Sequence, residues 1–437
     1  MTHDISFAWP PGQLTVDPRL AYNGISKTYA RQVFESLVDI DPVTAQLLPR
    51  LASSWSRPDP LTVELTIPAG RHFSDGVPLT AELVRNSFCD IINDLSGVTP
   101  LPSAIASLAG LSGVESRGEA VVFRFDRHNA AFLHSLVGVN LAVSKPSAGG
   151  MRLGTGSWVP VGAGCLTDGR QRLLFTADDD GLAEVHAGPA DGFLTAELHN
   201  PGISYGLCPN VSRGPLADPR IRRALSLLVD RERLRPILAS CGYTVAGSVL
   251  TPTALHYLDC SAQLAHDPAA ARRLLDAAGA DGLRFEVMFN SSFSPVDAEL
   301  LSAVADQWAG HGIELVLHNV DFGELRSRQQ TGAYDFRFFY YTAIDPDALR
   351  YQFAVDQRDA MCRVERDRLD DLFDDQLHCP DPAGRRKLVH DIQQLIIHDG
   401  LWLPICNMRT VVSHRPDVVP RLAIDAEGLA RFTHPGT

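Results

Sequence analysis

The sequence predicts an α/β protein with two to three domains. Its 437 residues are too many for one hydrophobic core, since single cores stop growing at roughly 250–300 residues. Segments with the 3.6-residue period of helices alternate with segments that have the two-residue period of strands. No stretch remains apolar for the ~18 residues that a membrane span requires. These observations favour a multidomain protein with mixed sheets and packed helices.

The N-terminal part contains a predicted helix, a strand and a second helix. Ser26 is expected to cap the first helix, whose inner face would consist of Tyr29, Val33, Phe34 and Leu37. Leu61–Ile67 alternates apolar and polar residues and therefore predicts a strand. Thr80 is expected to cap the next helix, with Leu83, Val84 and Ile91 directed inward.

Three Asp-Pro pairs predict helix starts farther along the chain. They are Asp218–Pro219, Asp267–Pro268 and Asp381–Pro382. Aspartate is a favoured N-cap, and proline is tolerated in the first turn, where its missing N–H is not needed. Gly279 is the predicted stop of the second of these helices, and Gly400 that of the third.

One segment predicts a strand-helix-strand crossover. Leu283–Phe289 and Ile313–His318 alternate as strands, and Asp297 is expected to cap the helix between them. Gly310 and Gly312 would end that helix. The total length of about 40 residues is that of a crossover between parallel strands.

The charge of the chain excludes some partners. Its formal net charge is −13 and its calculated pI is about 5.6. Nucleic acids and anionic membranes are bound by clusters of Lys and Arg, and the sequence contains no basic run. We therefore expect no nucleic acid among the partners, and the sequence contains no signature of a bound cofactor.

Eight cysteines are spaced widely, without a CxxC pair, and are expected to be free thiols. Free thiols favour a reducing compartment. The start of the chain, MTHDISFAWPPGQ, lacks the charged and apolar regions of a secretory leader. As it stands the sequence predicts a cytoplasmic location, or an extracytoplasmic one if a leader has been removed.

Seven separated segments occur in a specific order, and their order is more informative than any one of them. They are Arg31–Trp55, Ile67–Thr80, Gly154–Val159, Leu216–Leu234, His266–Gly279, Gly310–Glu324 and Gly332–Leu349. This succession resembles the family 5 extracytoplasmic solute-binding proteins, the bacterial peptide, dipeptide and nickel-complex receptors of ABC importers. The resemblance is strong for the fold and weaker for the ligand, because function depends on a site rather than on an architecture.

The resemblance implies a type II periplasmic-binding-protein-like clamshell fold, with two lobes and an additional inserted domain. The expected first lobe is discontinuous, at residues 1–38, 150–242 and 405–437. The inserted domain would be 39–149 and the second lobe 243–404. The interval Asp178–Asn200 is shorter than in the family, so the first lobe is expected to be shortened.

The family's peptide receptors hold the ligand's α-amine with an aspartate three positions before the aspartate of an Asp-Pro pair. In this chain the pair is Asp345–Pro346, and Thr342 occupies the position of the acid. A hydroxyl cannot neutralise an ammonium ion, and charge-assisted hydrogen bonds are roughly twice as strong as neutral ones. The usual amine anchor is therefore expected to be absent, while Tyr340, Tyr341, Thr342 and Asp345 remain candidate ligand contacts.

Other candidate contacts follow from the same resemblance. Tyr205, Cys208 and Asn210 lie in a predicted hinge strand, and Tyr22 and Asn23 precede the first helix. Trp158 ends a GTGSW turn whose glycines would allow close backbone approach, and Trp402 completes the set. Taken singly, each residue is more readily explained by a structural role.

Metal and catalytic sites lack a sequence signature. The late helix carries or adjoins His378, Cys379, His390 and His398, without HExxH or paired CxxC. No GxSxG motif is present, so catalysis stays an open question. The favoured interpretation is a solute-binding protein that traps a small peptide-like or polar ligand by hinge closure and delivers it to a permease. The alternatives are a cytoplasmic enzyme or biosynthetic accessory protein on the same scaffold, or a ligand-sensing module.

Overall fold

The chain divides into two compact units. The computed structural model describes residues 4–8, 14–94, 108–162, 164–176, 183–187, 193–198, 203–291, 294, 296–355, 365, 367–415 and 422–432. Unit 1 comprises residues 1–199, 378–380 and 410–437, and unit 2 comprises 200–377 and 381–409. The inserted domain and the lobe boundaries expected from the sequence remain predictions.

Strands and helices alternate along the described part of the chain, and the predicted α/β class is confirmed. The strands are β1 (Asp4–Ala8), β2 (Val38–Ile40), β3 (Leu47–Pro49), β4 (Ser54–Asp59), β5 (Thr62–Thr66), β6 (Leu111–Arg117), β7 (Ala120–Phe125), β8 (Lys145–Pro146), β9 (Arg152–Leu153), β10 (Val159–Gly162), β11 (Cys165–Thr167), β12 (Arg172–Thr176), β13 (Val185–Ala187), β14 (Leu194–Leu198), β15 (Ile203–Pro209), β16 (Thr244–Val245), β17 (Arg284–Phe289), β18 (Glu314–Asn319), β19 (Phe336–Thr342), β20 (Leu403–Asn407), β21 (Thr410–His414), β22 (Leu422–Ile424) and β23 (Ala430–Phe432).

The helices are α1 (Gly24–Val33), α2 (Ala81–Asp94), α3 (Phe132–Ser135), α4 (Pro219–Leu227), α5 (Arg231–Ser240), α6 (Pro268–Ala278), α7 (Asp297–Ala309), α8 (Phe322–Thr331), α9 (Ala348–Phe353), α10 (Arg368–His378) and α11 (Pro382–His398). Short 3-10 helices lie at Pro18–Leu20, Val139–Leu141 and Gly214–Ala217.

Unit 1 is built on a seven-stranded mixed sheet in the order β10-β11-β12-β1-β13-β21-β14. Strand β1 pairs in parallel with β12 and β13, and β21 joins β13 to β14 in antiparallel fashion. A second, four-stranded antiparallel sheet has the order β4-β5-β7-β6 and includes the strand predicted at Leu61–Ile67. The core of the seven-stranded sheet packs against α1 through aromatic residues that include Phe7 and Tyr29.

Unit 2 is built on a six-stranded sheet in the order β16-β20-β15-β19-β17-β18. Strands β17 and β18 are parallel and are joined through α7, so the predicted crossover is confirmed. Strand β15 lies in the interior of the sheet, antiparallel to β19 on one side and to β20 on the other. One apolar cluster includes α4, α5 and α7, and a second includes the loops and helices around α9–α11.

The predicted caps are confirmed at four helices and wrong at two. Asp218, Asp267 and Asp381 accept backbone N–H groups at the starts of their helices, and Thr80 accepts the N–H of Leu83. Helix α6 ends at Gly279 in the left-handed conformation (φ 63°), as predicted.

The two wrong caps have physical explanations. The cap of α1 is Asn23, whose side chain accepts the N–H of Ser26, while the Ser26 hydroxyl accepts a hydrogen bond from the N–H of Thr15. Asp297 lies inside α7 as its first residue and makes no cap, because its buried carboxylate binds Tyr205.

Candidate functional site

The candidate site in unit 2 lies where β19 ends and β15 begins. Cross-strand pairing sets Thr342 opposite Ile203, Tyr341 opposite Ser204, and Tyr340 opposite Tyr205. Paired residues project from the same face of a sheet, and successive residues project from opposite faces. The sequence-predicted tyrosines are therefore neighbours, with Tyr205 and Tyr340 on one face and Tyr341 on the other.

The Tyr205 face is a closed aromatic layer with one buried acid. Tyr205 is fully buried, and its ring stacks on Phe338 at a centroid distance of 4.2 Å. Its hydroxyl donates a hydrogen bond to the Asp297 carboxylate. Burial raises the pKa of Asp297 to about 7, because the ionised carboxylate loses its hydration there. Burial also raises the pKa of the neighbouring Cys406 thiol well above its usual range, so this thiol is not a thiolate near neutral pH.

The Tyr341 face packs against the helices of the second apolar cluster. The Tyr341 hydroxyl donates to the carbonyl of Val249, and its ring meets Trp402 edge-on at 5.0 Å. Trp402 is 1% exposed and also contacts Phe339 and Phe353. In this structure Tyr341 and Trp402 thus act as core residues, whereas Tyr340 and Thr342 are half-buried.

Asp345 is neutralised inside the protein. Its carboxylate oxygens lie 2.7 and 3.1 Å from the two terminal nitrogens of Arg385, a paired geometry that suits guanidinium and carboxylate. Arg385 also donates to Gln376, and Gln376 in turn donates to Asp347. A carboxylate held in this way has little charge left for a ligand's ammonium group.

Cys208 and Asn210 have structural contacts at the end of β15. Cys208 is 1% exposed, and its sulfur lies 3.8 Å from Nη2 of Arg337. The Asn210 side chain donates to the carbonyls of Gly332 and Tyr334, and its oxygen accepts the N–H of Ser212. These bonds fix the chain around the turn that follows the strand.

In unit 1, Asn23 caps α1, and Tyr22 beside it is 42% exposed. Trp158 is 2% exposed and donates its indole N–H to the Phe432 carbonyl at 3.3 Å. The indole is therefore a packed aromatic residue of unit 1.

The GTGSW turn approaches the end of α1 closely, and both segments belong to unit 1. A Cβ added to Gly154 would lie 2.0 Å from the Val33 carbonyl oxygen, and one added to Gly156 would lie 2.3 Å from that of Gln32. The N–H of Gly156 donates to the Val33 carbonyl at 2.9 Å. Two glycines are required because there is no room for side chains at this contact.

No metal centre is found among the described residues, where no three His, Cys, Asp or Glu side chains group as ligands would. His378 contacts the His128 carbonyl through Nδ1 at 2.6 Å. Seven cysteines are described, as thiols rather than disulfides: Cys89, Cys165, Cys208, Cys241, Cys260, Cys379 and Cys406. Cys362 lies outside the described residues, as do Asp178–Asp180.

Among the described residues, no helix has the length and apolar character needed to cross a bilayer.

Two features of the site were missed by sequence reasoning. The first is the contact between Tyr205 and Asp297, which are 92 positions apart. The second is the pairing of Asp345 with Arg385, which are 40 positions apart. Neither pair has a short-range sequence signal, although Arg385 occupies the inward face of the predicted late helix, and a buried arginine there requires a partner.

A family model described as bacterial extracellular solute-binding proteins, family 5 Middle, matches residues 174–359. A probable di/tripeptide-binding protein 5 of Pseudomonas aeruginosa is 26% identical over 247 residues, 54% of this chain and 46% of that protein. The glutathione-binding protein GsiB of Escherichia coli K12 is 24% identical over 220 residues, 47% of this chain and 42% of that protein. The matches thus span less than half the length of either relative.

Solved structures match over nearly the whole chain. A dipeptide-binding protein of Pseudoalteromonas sp. SM9913 in complex with Met-Leu has a TM-score of 0.83 at 16% identity, covering 99% of this chain and 100% of that one. NikA of Staphylococcus aureus in complex with Ni(L-His)2 has a TM-score of 0.81 at 15% identity, covering 98% and 97%. The family model confirms the resemblance to family 5 solute-binding proteins over residues 174–359, and the solved structures confirm the α/β fold.

Proposed function

We propose that this chain is a solute-binding protein of an ABC importer, which captures a small peptide-like or polar ligand between two lobes by hinge closure. The observation that carries the proposal is the agreement of fold over 99% of the chain with a dipeptide-binding protein. The di/tripeptide-binding and glutathione-binding relatives support a ligand with amide groups. An ABC permease is the proposed partner, and the functional protein is proposed to be a monomer.

Ligand orientation is proposed to rely on neutral hydrogen bonds. Thr342, the residue at the expected position of the amine anchor, is half-buried at the end of β19 and carries no charge. Asp345, the nearest acid along the chain, is already paired with Arg385. A free α-amine on the ligand therefore adds little to the binding free energy. The amide groups and side chains of the ligand supply most of the affinity.

Three members of the sequence-predicted set are the proposed ligand contacts. Tyr340 and Thr342 are half-buried, so their side chains retain surface for a ligand. Tyr22 is exposed and is the proposed contact in unit 1. The remaining members of the set are proposed to position these contacts through the packing and hydrogen bonds described above. They are Asn23, Trp158, Tyr205, Cys208, Asn210, Tyr341, Asp345 and Trp402.

Native mass spectrometry of the purified chain tests this proposal. The protein is incubated with an equimolar mixture of di- and tripeptides, and in parallel with the same peptides after N-acetylation. We expect a peptide to be bound unchanged, and acetylation to weaken binding by no more than about threefold. Conversion of the bound compound would exclude a receptor, and loss of binding on acetylation would exclude the neutral recognition assigned to Thr342.

A further inference from the structure

A groove on the surface of unit 2 is lined by two arginines from different helices. Its volume is about 410 Å³, and its lining residues are Arg223, Gln263, Arg368, Asp391, Gln394, Leu395 and His398. They come from α4, the start of α10, the last turns of α11 and the segment before α6. We call it the Arg223–Arg368 groove. It shares no residue with the candidate peptide site.

The Arg223 guanidinium is the central feature of this groove. The side chain is half-buried, and Nη1 donates to the carbonyl of Ile397 at 3.3 Å, one of the last carbonyls of α11. Burial lowers its pKa, and among the described residues no carboxylate forms an ion pair with it. A guanidinium has five N–H donors, so most of its donor capacity and its charge remain for another group.

The other side chains that line the groove do not neutralise the charge of Arg223. Arg368 is exposed and adds a second cation. Asp391 is the acidic lining residue, but it is paired with Lys387 at 2.9 Å on the same helix. The imidazole of His398 lies 2.7 Å from the Asp399 carboxylate. The groove therefore contains an excess of cationic groups in a protein whose formal net charge is −13.

We infer that the Arg223–Arg368 groove binds a small anion through a phosphate or carboxylate group. Arginine forms paired, planar hydrogen bonds with both groups, and they are stronger than neutral ones. The volume falls within the roughly 300–1,000 Å³ typical of small-molecule sites. The amides of Gln263 and Gln394 supply neutral donors and acceptors around the anion.

Isothermal titration calorimetry of the full chain with inorganic phosphate, and separately with citrate, tests this inference. The chain is compared with Arg223→Gln, Arg368→Gln and Arg386→Gln; the last removes an exposed arginine of α11 that does not line the groove. We expect a Kd below about 1 mM for at least one anion. Each groove variant should weaken that binding by about tenfold, and Arg386→Gln by less than about twofold.

Each outcome has a defined meaning. Saturation by phosphate alone assigns a phosphate group, saturation by citrate alone assigns a carboxylate, and saturation by both supports the shared chemistry. No saturable binding of either anion up to about 10 mM would overturn the inference. Equal weakening by Arg386→Gln would overturn it too, because it would indicate a general charge effect. If Arg223→Gln does not fold, the exposed Arg368→Gln still decides the question.

Discussion

Asp297 is an acid buried at the start of α7, and several influences on its ionisation oppose one another. The N-terminus of a helix favours a negative charge by about 0.3–1 kcal/mol, up to ~2 kcal/mol in partly buried sites. Burial has the opposite effect and dominates, because the pKa is raised to about 7. The hydrogen bonds that Asp297 accepts from Tyr205 and Ser294 also favour the ionised form and lower the pKa, but burial outweighs them.

The pH dependence of stability should reflect this group. The folded protein keeps the Asp297 proton up to a pH of about 7, whereas an unfolded aspartate loses it near pH ~3.9. The unfolded state thus binds fewer protons in this interval, and stability decreases as pH rises, by up to about 1.4 kcal/mol per pH unit. As the pH rises from ~5 to ~8, the free energy of unfolding of Asp297→Asn should increase by about 2–3 kcal/mol relative to that of the parent. Urea unfolding at each pH measures this difference.

Asp306→Asn is the matched control, since Asp306 is exposed on the same helix. Its stability relative to the parent should change by less than about 0.5 kcal/mol over the same interval. An equal pH effect in both variants would contradict the assignment to Asp297.

Thr342 allows a second test at the scale of one residue. Thr342→Asp introduces a carboxylate where the resemblance predicts an amine anchor, and a charge-assisted bond is worth about 1.5–3 kcal/mol. We expect the variant to prefer a peptide with a free amine over its N-acetylated form by about tenfold, measured by calorimetry. The control is Thr342→Asn, because asparagine has nearly the shape of aspartate but no charge. This variant should show no preference for the free amine; if it does, the preference does not arise from charge.

The identities of candidate residues were easier to predict than their surroundings. Tyr205, Tyr340 and Tyr341 were selected separately as candidate ligand contacts, and the pairing of β15 with β19 brings them together. That Tyr205 and Tyr341 would be buried depends on contacts with Asp297 and Val249, at positions far away in sequence. Periodicity reports which face of an element is apolar, and it contains no information on such distant partners.

At the scale of elements, the close contact between α1 and the GTGSW turn should make the stability of unit 1 sensitive to a side chain at Gly154. A Cβ on Gly154 would lie 2.0 Å from the Val33 carbonyl oxygen and 2.7 Å from Cδ1 of Phe34. We expect Gly154→Ala to destabilise unit 1 by about 3 kcal/mol, because backbone must move to accommodate the methyl group. Urea unfolding measures the change.

Gly113→Ala in β6 is the control for this prediction. Nothing lies within 4 Å of the Cβ that it would add, and its φ is not in the left-handed region. The variant should be within about 0.5 kcal/mol of the parent. If Gly154→Ala were tolerated equally well, the close approach would not be a constraint.

Local sequence patterns predicted the helix starts correctly where the start depends on residues only a few positions apart. Asp218, Asp267 and Asp381 cap their helices as predicted, because cap and capped N–H groups are two or three residues apart. No local pattern predicts that β15 lies between β19 and β20, because this arrangement joins segments that are far apart in the chain. Strand order is a property of the whole sheet.

At the scale of the whole molecule, the proposed closure predicts a change in dimensions. The chain passes between the units at residues 199–200 and 409–410, with a short excursion at 378–380. If ligand binding closes two lobes, the radius of gyration measured by small-angle X-ray scattering should decrease when the ligand is added. The control is a solute that does not bind in the mass spectrometric assay, and an unchanged radius with bound peptide would contradict closure.

The order of strands in unit 1 has a consequence for how the protein is made. Strand β21 (Thr410–His414) joins β13 to β14, so the seven-stranded sheet needs residues that follow all of unit 2 in the chain. All strands of the six-stranded sheet lie between Ile203 and Asn407. On the ribosome, unit 2 therefore has all its strands before unit 1 does, although unit 1 emerges first. Until β21 is synthesised, β13 and β14 lack the strand that joins them, and unpaired strand edges of this kind can pair with other chains.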